Sequence, residues 1–407
     1  MSQDNQIAAN LKELELNSLL EVTEAINNNL PESSLYKIYH FTLLANLKVK
    51  KLALFVMEES WESKVSFGVK PEVCEQMELS AFESLKQTSA IDRNSEVSED
   101  FEYVIPVLHK NRLLALVFIA DVSSSNHGGS SKSPTTFLEA ITNILIVAIE
   151  NKKLARKQLE QEALTRELEI AKQVQLNLFP KSLPNTELLE VAAVYQPHHN
   201  VGGDYYDYVS INPHEFMVCI ADVSGKGVPA ALMMSNFQAS LRTLVRQTTD
   251  LDRIVQELNY QLVHSGNSDI FITFFVAFYN RKSGVLNYAN CGHNPPILVD
   301  DEGRLSLLEK GTTVLGMFDP LPFIETAQVQ ILSDFQLFAY TDGLTEAENL
   351  AEEEFGETRV QERVGAHGKG SAASLNRQML ASVEQFREGK PYRDDITLLS
   401  VYLKHDR

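Results

Sequence analysis

From Thr135 to Phe179 the chain holds neither glycine nor proline, and no other feature restricts its architecture as much. Good helix formers run through the stretch and nothing interrupts the i to i−4 hydrogen-bond ladder, so it reads as one long helix. It stops at "FPKSLP", where two prolines remove backbone donors. The segments on either side of it must then fold as separate bodies. Ile141, Ile144, Leu145, Ala148, Leu154, Leu164, Leu168, Ala171 and Leu178 lie near a heptad-like seam that Lys157, Gln161 and Gln175 interrupt. Such a helix is either a solvated spacer or one strand of a parallel coiled coil. The seam makes a homodimer through this helix the expectation.

Before the helix, residues 8–30 place Leu16, Leu19, Val22, Ile26 and Leu30 three or four apart, an apolar stripe. "KKLALFVMEE", "FEYVIPVLHK" and "RLLALVFIADV" read as strands, and "SSSNHGGSSKSP" (123–134) as a flexible loop. Helix, strands and helix suit a small α/β module over 1–134, followed by a helical linker over 135–180.

From 181 to 407 the pattern turns to dense strands. "LLEVAAVYQP", "DYYDYVSI", "EFMVCIADV", "FITFFVAFYN", "VLNYANCG", "ETAQVQI", "QLFAYTDG" and "ITLLSVYLK" all qualify, and short turns such as INPHE and NRKSG require antiparallel neighbours. Helices fall between groups of strands, which is α+β layering and not alternating βαβ. In "PAALMMSNFQASLRTLVRQ", Leu232, Phe237, Leu241 and Leu244 are expected to face inward.

Charge narrows the functional classes. The 407 residues carry a formal charge of −19, and the sequence pI is about 5.0. Phosphate neutralisation needs clustered Lys and Arg, so no nucleic-acid or anionic-membrane partner is expected. No apolar stretch reaches the roughly 18–20 residues of a membrane span, and the polar MSQDNQ start does not read as a secretory signal. Cys74, Cys219 and Cys291 are far apart, which argues against zinc and disulfide frameworks and suits a cytoplasmic setting.

The aspartates carry the chemistry. Asp204 follows Gly202-Gly203 at the start of a strand, and Asp222 ends the next. Asp342 ends "LFAYTD", and Asp394 and Asp395 precede the last strand. All can be placed on one edge of an antiparallel sheet. Any one of them alone is an ordinary turn former or cap. Together they would repel unless cations lay between them, and carboxylate oxygens without a Cys/His cluster suit hard ions such as Mg²⁺ or Mn²⁺. The neighbouring "SGKG" lacks the GxxxxGK[ST] spacing of a nucleotide-binding P-loop, because Gly227 follows Lys226. Ser224 and Pro229 read as a cap and a helix start.

In order along the chain, "RELEIAKQVQLNLFPKSLP", "VGGDYYDY", "ADVSGKGVPAALMMS", "TFFVAFY", "YANCGHNPP", "YTDGLTEAEN", "FGE" and "DDITLL" resemble the PPM-type (PP2C-like) serine/threonine phosphatases. The subgroup is that of the bacterial RsbU- and SpoIIE-like regulators, and the resemblance covers about residues 165–405. It implies a β-sandwich flanked by helices with two Mn²⁺ or Mg²⁺ ions at one edge. It also implies hydrolysis of phosphoserine or phosphothreonine on a protein, specifically a STAS-type anti-sigma-factor antagonist. Carried over by position, Asp222 would bridge both ions with the Val223 carbonyl beside it. Asp204 would serve one ion, and Asp342 with Asp394, or Asp395 in its place, the other.

Two features depart from the wider family. The bridging Asp is followed by Val223-Ser224-Gly225-Lys226 instead of Gly-His, which leaves the general acid unassigned, with His293 a candidate that is equally a structural histidine. No counterpart of a phosphate-gripping Arg is evident, and Lys226 is either a substitute or merely solvated. The N-terminal zone resembles a GAF domain, most clearly in "KKLALFVMEE" and "NRLLALVFIADV". That implies a sensor with an unidentified small ligand, for which Trp61 and Phe67 are pocket candidates if they are not simply core. The competing reading is a non-catalytic signalling protein that uses a degenerate phosphatase fold to bind a partner.

Overall fold

A computed structural model describes residues 3–405 apart from 47–48, 94, 121–133, 266–269 and 369. The chain divides into two compact units, Met1–Glu162 and Ala163–Arg407. The division falls inside the long helix α4 (Pro134–Leu176). The expected loop at 123–134 lies outside the described residues except for Pro134, the first residue of α4.

In the first unit α1 (Gln3–Asn27) and α2 (Glu32–Asn46) precede a five-stranded antiparallel sheet in the order β2-β1-β5-β4-β3. Its strands are β1 (Lys51–Met57), β2 (Trp61–Phe67), β3 (Ser89–Ala90), β4 (Tyr103–His109) and β5 (Arg112–Ala120), with α3 (Pro71–Gln76) between β2 and β3. Leu52, Leu54, Val117 and Ile119 pack on one face against Val22, Tyr39, Ile141 and Leu145 of the helices. Ala53, Phe55, Leu116 and Phe118 line the other face with Phe101. With both faces covered, the strands read as unbroken apolar runs. Ile141 and Leu145 thus serve this core and not a coiled-coil seam, and Leu16 of the expected α1 stripe is exposed. Trp61 and Phe67 do not share a pocket. The β1–β2 register shifts after Leu54, and this bulge turns Trp61 to the face opposite Phe67.

The second unit is a sandwich of two sheets between helical layers. One sheet runs β13-β10-β9-β8-β7, with β14 beside β10. It comprises β7 (Tyr205–Asn212), β8 (Glu215–Val223), β9 (Ile272–Asn280), β10 (Val285–Cys291), β13 (Gly311–Thr312) and β14 (Ala327–Gln330). The other runs β12-β11-β15-β16-β6, from β6 (Leu189–Gln196), β11 (Ile297–Val299), β12 (Leu305–Leu307), β15 (Phe335–Tyr340) and β16 (Ile396–Leu403). Phe216, Val218 and Ile220 of β8 point into the inter-sheet core with Leu337, Leu399 and Val401. Met217, Cys219 and Ala221 face α5 (Val228–Leu244) and α6 (Leu251–Val263). On the far side Phe338, Tyr340 and Leu398 meet α8 (Gly356–His367) and α9 (Ala372–Arg387). The α+β layering expected from the strand pattern and the β-sandwich implied by the resemblance are therefore both present.

The phase of α5 differs from expectation. Ala230, Met233, Met234, Phe237 and Leu241 are buried at helical spacing, which leaves Leu232 63% exposed. Ser224 is not the cap of this helix either. Its Oγ accepts the Phe271 amide at 2.9 Å, and Gly227 at φ 72° occupies the cap position.

Candidate metal centre

The β7–β8 hairpin sets Tyr205 opposite Ala221, which places Asp204 across from Asp222. Asp222 continues the Phe216-Val218-Ile220 row, so it stands at the mouth of the gap between the sheets. In the second sheet Tyr340 pairs with Leu398, and beyond that pair lie Asp342, the first residue of α7 (Asp342–Thr345), and the Asp394–Asp395 pair. The acidic residues thus come from facing ends of two sheets, not from one sheet edge.

Hydroxyl groups stitch the two ends together. Thr341 and Thr397 donate to Asp204 Oδ2 at 2.8 and 2.6 Å. Asp395 accepts the amides of His198 at 2.7 Å and Gly203 at 2.9 Å, which holds the loop before Asp204. The end of α4 grips the same loop: Gln175 donates to the Gly202 carbonyl at 2.7 Å and accepts its amide at 3.2 Å. A β-carbon on Gly202 or Gly343 would run into Asp395, so these elements approach as closely as they do only because both positions are glycine.

Charge accumulates here without full compensation. Burial, then the Asp222 and Asp395 charges, hold the Asp204 carboxyl well above the usual range against the two threonine hydrogen bonds. Burial and the Asp342 and Asp394 charges push Asp222 up to about 8. Burial and then Asp394 raise Asp342, and burial and then Asp342 raise Glu346. An all-oxygen set that resists ionisation in this way is what a hard divalent cation relieves. Among the described residues, no three acidic, His or Cys side chains stand close enough to enclose an ion as they are. The reason is visible in their present partners. Asp204 holds the two threonines, Asp395 the two amides, and Asp394 Oδ2 the Lys226 ammonium at 2.6 Å. The donor chemistry fits such an ion, and side-chain rotation would have to complete the enclosure.

His293 lies behind this cluster. Its Nδ1 is 2.9 Å from the Oγ1 of Thr273, the residue opposite Asp222 on β9, and Nε2 has no hydrogen-bond partner. Burial pushes it down to about 4, opposed in part by the Tyr340 backbone. At pH 7 the ring is therefore neutral, with one N–H, and its contact with Thr273 anchors it behind the cluster. Thr341, Thr397, Gln175 and Glu346 were not singled out from the sequence. Their signal was adjacency to an anticipated aspartate or, for Gln175, a polar interruption of the helical seam.

Residues 212–404, just under half of the chain, match the family described as Stage II sporulation protein E, SpoIIE. The C-terminal unit thus resembles the SpoIIE family over those residues and has a PP2C-like fold. The chain is 27% identical over 266 residues to protein IcfG of Synechocystis, a stretch that is 58% of this chain and 41% of IcfG. It is 29% identical over 246 residues to phosphoserine phosphatase RsbU of Bacillus subtilis, or 60% of this chain and 72% of RsbU. The match thus spans less than half the length of IcfG. Among solved structures, the SiaA-PP2C domain of Pseudomonas aeruginosa has a fold similar to that of the C-terminal unit. Its TM-score is 0.54 at 21% identity over 61% of this chain and 99% of that one.

Proposed function

We propose that the protein is a metal-dependent phosphoprotein serine/threonine phosphatase acting on a phosphorylated protein of the STAS anti-sigma-factor-antagonist type. The observation that carries this reading is the convergence of Asp204, Asp222 and Asp342, each raised above the ordinary carboxylate range, at one mouth of a PP2C-like sandwich. Similarity to a protein named a phosphoserine phosphatase supports it.

Asp222 with the Val223 carbonyl, Asp204, Asp342 and Asp394 would hold two Mn²⁺ or Mg²⁺ ions. Asp394 is preferred to Asp395, whose two oxygens are spent on the His198 and Gly203 amides. When bound, such ions lower the pKa of water and neutralise phosphoryl oxygens. The chain itself orients Asp204 through Thr341 and Thr397 and fixes the approach of its loop through Asp395 and Gln175. A cleft of about 440 Å³ lined by Leu168, His198, His199, Val201, Gly227 and Val228 offers room beside the site for a substrate segment.

The N-terminal unit is read as a GAF-like sensor whose ligand is a small molecule. Its signal would pass along α4, whose Gln175 touches the Asp204 loop. The leucines that α4 exposes suit a homodimer. A cytoplasmic setting goes with this reading, and among the described residues no helix is long and apolar enough to cross a membrane.

The test is hydrolysis of a phosphoserine protein by the full chain with Mn²⁺. Asp222→Asn should reduce turnover by at least about 100-fold and weaken Mn²⁺ binding in calorimetry, and a variant with full activity would sink the metal assignment. The non-catalytic alternative predicts no Mg²⁺ or Mn²⁺ binding at millimolar concentration.

A further inference from the structure

We infer that Lys226 is an internal counter-ion of the carboxylate cluster, which a divalent cation must displace from Asp394 in order to bind. The inference rests on the metallophosphatase reading and goes beyond it, because it assigns a role to a side chain that the resemblance left open.

The geometry is direct. Lys226 Nζ lies 2.6 Å from Asp394 Oδ2 and donates to the Arg393 carbonyl at 2.6 Å. Its charge also reaches Asp342 and Glu346 and partly offsets the effects that raise them. Neighbouring cations are committed elsewhere: Arg393 and Lys390 pair with Glu348, and Arg242 with Asp207. Among the described residues, Lys226 is therefore the cationic side chain that forms an ion pair with the cluster. The loop that carries it is built to let go. Gly225 and Gly227, at φ +91° and +72°, flank it, and a β-carbon at either would meet nothing within 4 Å. No side chain caps α5 where the loop ends.

The pair is also weak enough to exchange. Both side chains are partly exposed, 47% for Lys226 and 32% for Asp394, so water screens their attraction. An ammonium there lowers the repulsion among these carboxylates at little cost. A divalent ion brings more charge to the same oxygen and can draw on several carboxylates at once, so it wins the exchange. Metal loading then frees the Gly225–Gly227 loop from the Arg393–Asp394 turn.

The experiment is calorimetric titration of the full chain with Mn²⁺ at fixed ionic strength. It compares the wild type, Lys226→Met, Lys226→Arg, Asp394→Asn and the double variant Lys226→Met/Asp394→Asn. Loss of the competitor should tighten Mn²⁺ binding about two- to five-fold in Lys226→Met, the range expected for an exposed ion pair, and Lys226→Arg should stay near wild type. In the Asp394→Asn background the Lys226→Met change should have no effect, because a competition acting through Asp394 disappears with it. Unchanged or weaker binding by Lys226→Met, with the wild type binding normally, overturns the inference and leaves the phosphatase reading intact. Tightening that persists without Asp394 also overturns it, since it would be a general charge effect. A wild type that binds no Mn²⁺ at millimolar concentration overturns both.

Discussion

Burial of His293 leaves its Nε2 without a hydrogen-bond partner and its pKa near 4, against 6.5 for the free side chain. The sign is set by which state holds more protons. Between about pH 4 and 6.5 the unfolded chain protonates this histidine and the folded chain does not, so the stability it confers is present at pH 7 and lost as pH falls through that window. At pH 5 the loss is about 2 kcal/mol. The raised carboxylates of Asp204, Asp222 and Asp342 act in the opposite sense, since what they contribute fades as pH rises, and only a difference between variants isolates the histidine. In urea melts, the drop in stability from pH 7 to pH 5 should be smaller by about that amount in His293→Gln than in the wild type. An equal drop in both would show that the imidazole titrates in the folded state as it does in water.

Strand β15 shows how one element serves two cores. Phe335, Leu337 and Ala339 enter the inter-sheet core, while Phe338 and Tyr340 pack under the helices. Gln336 shares the helix-facing side, is 3% exposed, and has neither carboxamide atom hydrogen-bonded. Leaving a buried donor and acceptor unpaired costs more than the side chain returns. Gln336→Leu, similar in volume, should raise stability by about 1–2 kcal/mol, read as a higher urea midpoint with an unchanged slope; a lower midpoint would mean the amide has a partner in solution. The long strands of this unit were legible because apolar runs with short polar turns admit few other structures. β11, β12 and β13 were not, since two or three residues cannot display an alternation. Leu232 was misplaced because leucine looks more buried than methionine, whereas the spacing of Ala230, Met233, Phe237 and Leu241 sets the phase of α5.

At the scale of the molecule, α4 leaves two leucines of the heptad-like seam in solvent, Leu154 52% and Leu164 57% exposed, with Leu159, Ile170 and Val174 also exposed. Single exposed leucines are unremarkable, but a row of them on one helix is not. If the helix pairs with its copy in a second chain, Leu154→Glu/Leu164→Glu should convert a dimer to a monomer in sedimentation at micromolar concentration while the far-ultraviolet circular dichroism stays unchanged. A wild type that sediments as a monomer, or a double variant that remains dimeric, would rule out this seam.

The sequence by itself determined the helix that divides the chain, the antiparallel strands on its far side, and the aspartates at their ends. Each depends on local chemistry: absent helix breakers, short turns, and charges placed where apolar runs stop. Only the tertiary structure decided that those aspartates arise from two facing sheets, because pairing across a sandwich links residues nearly two hundred positions apart, as Thr397 and Asp204 show. It also separated Asp394 from Asp395. The two are adjacent carboxylates with identical chemistry on paper, yet one meets a lysine and the other two backbone amides, and that contact decides what each can bind.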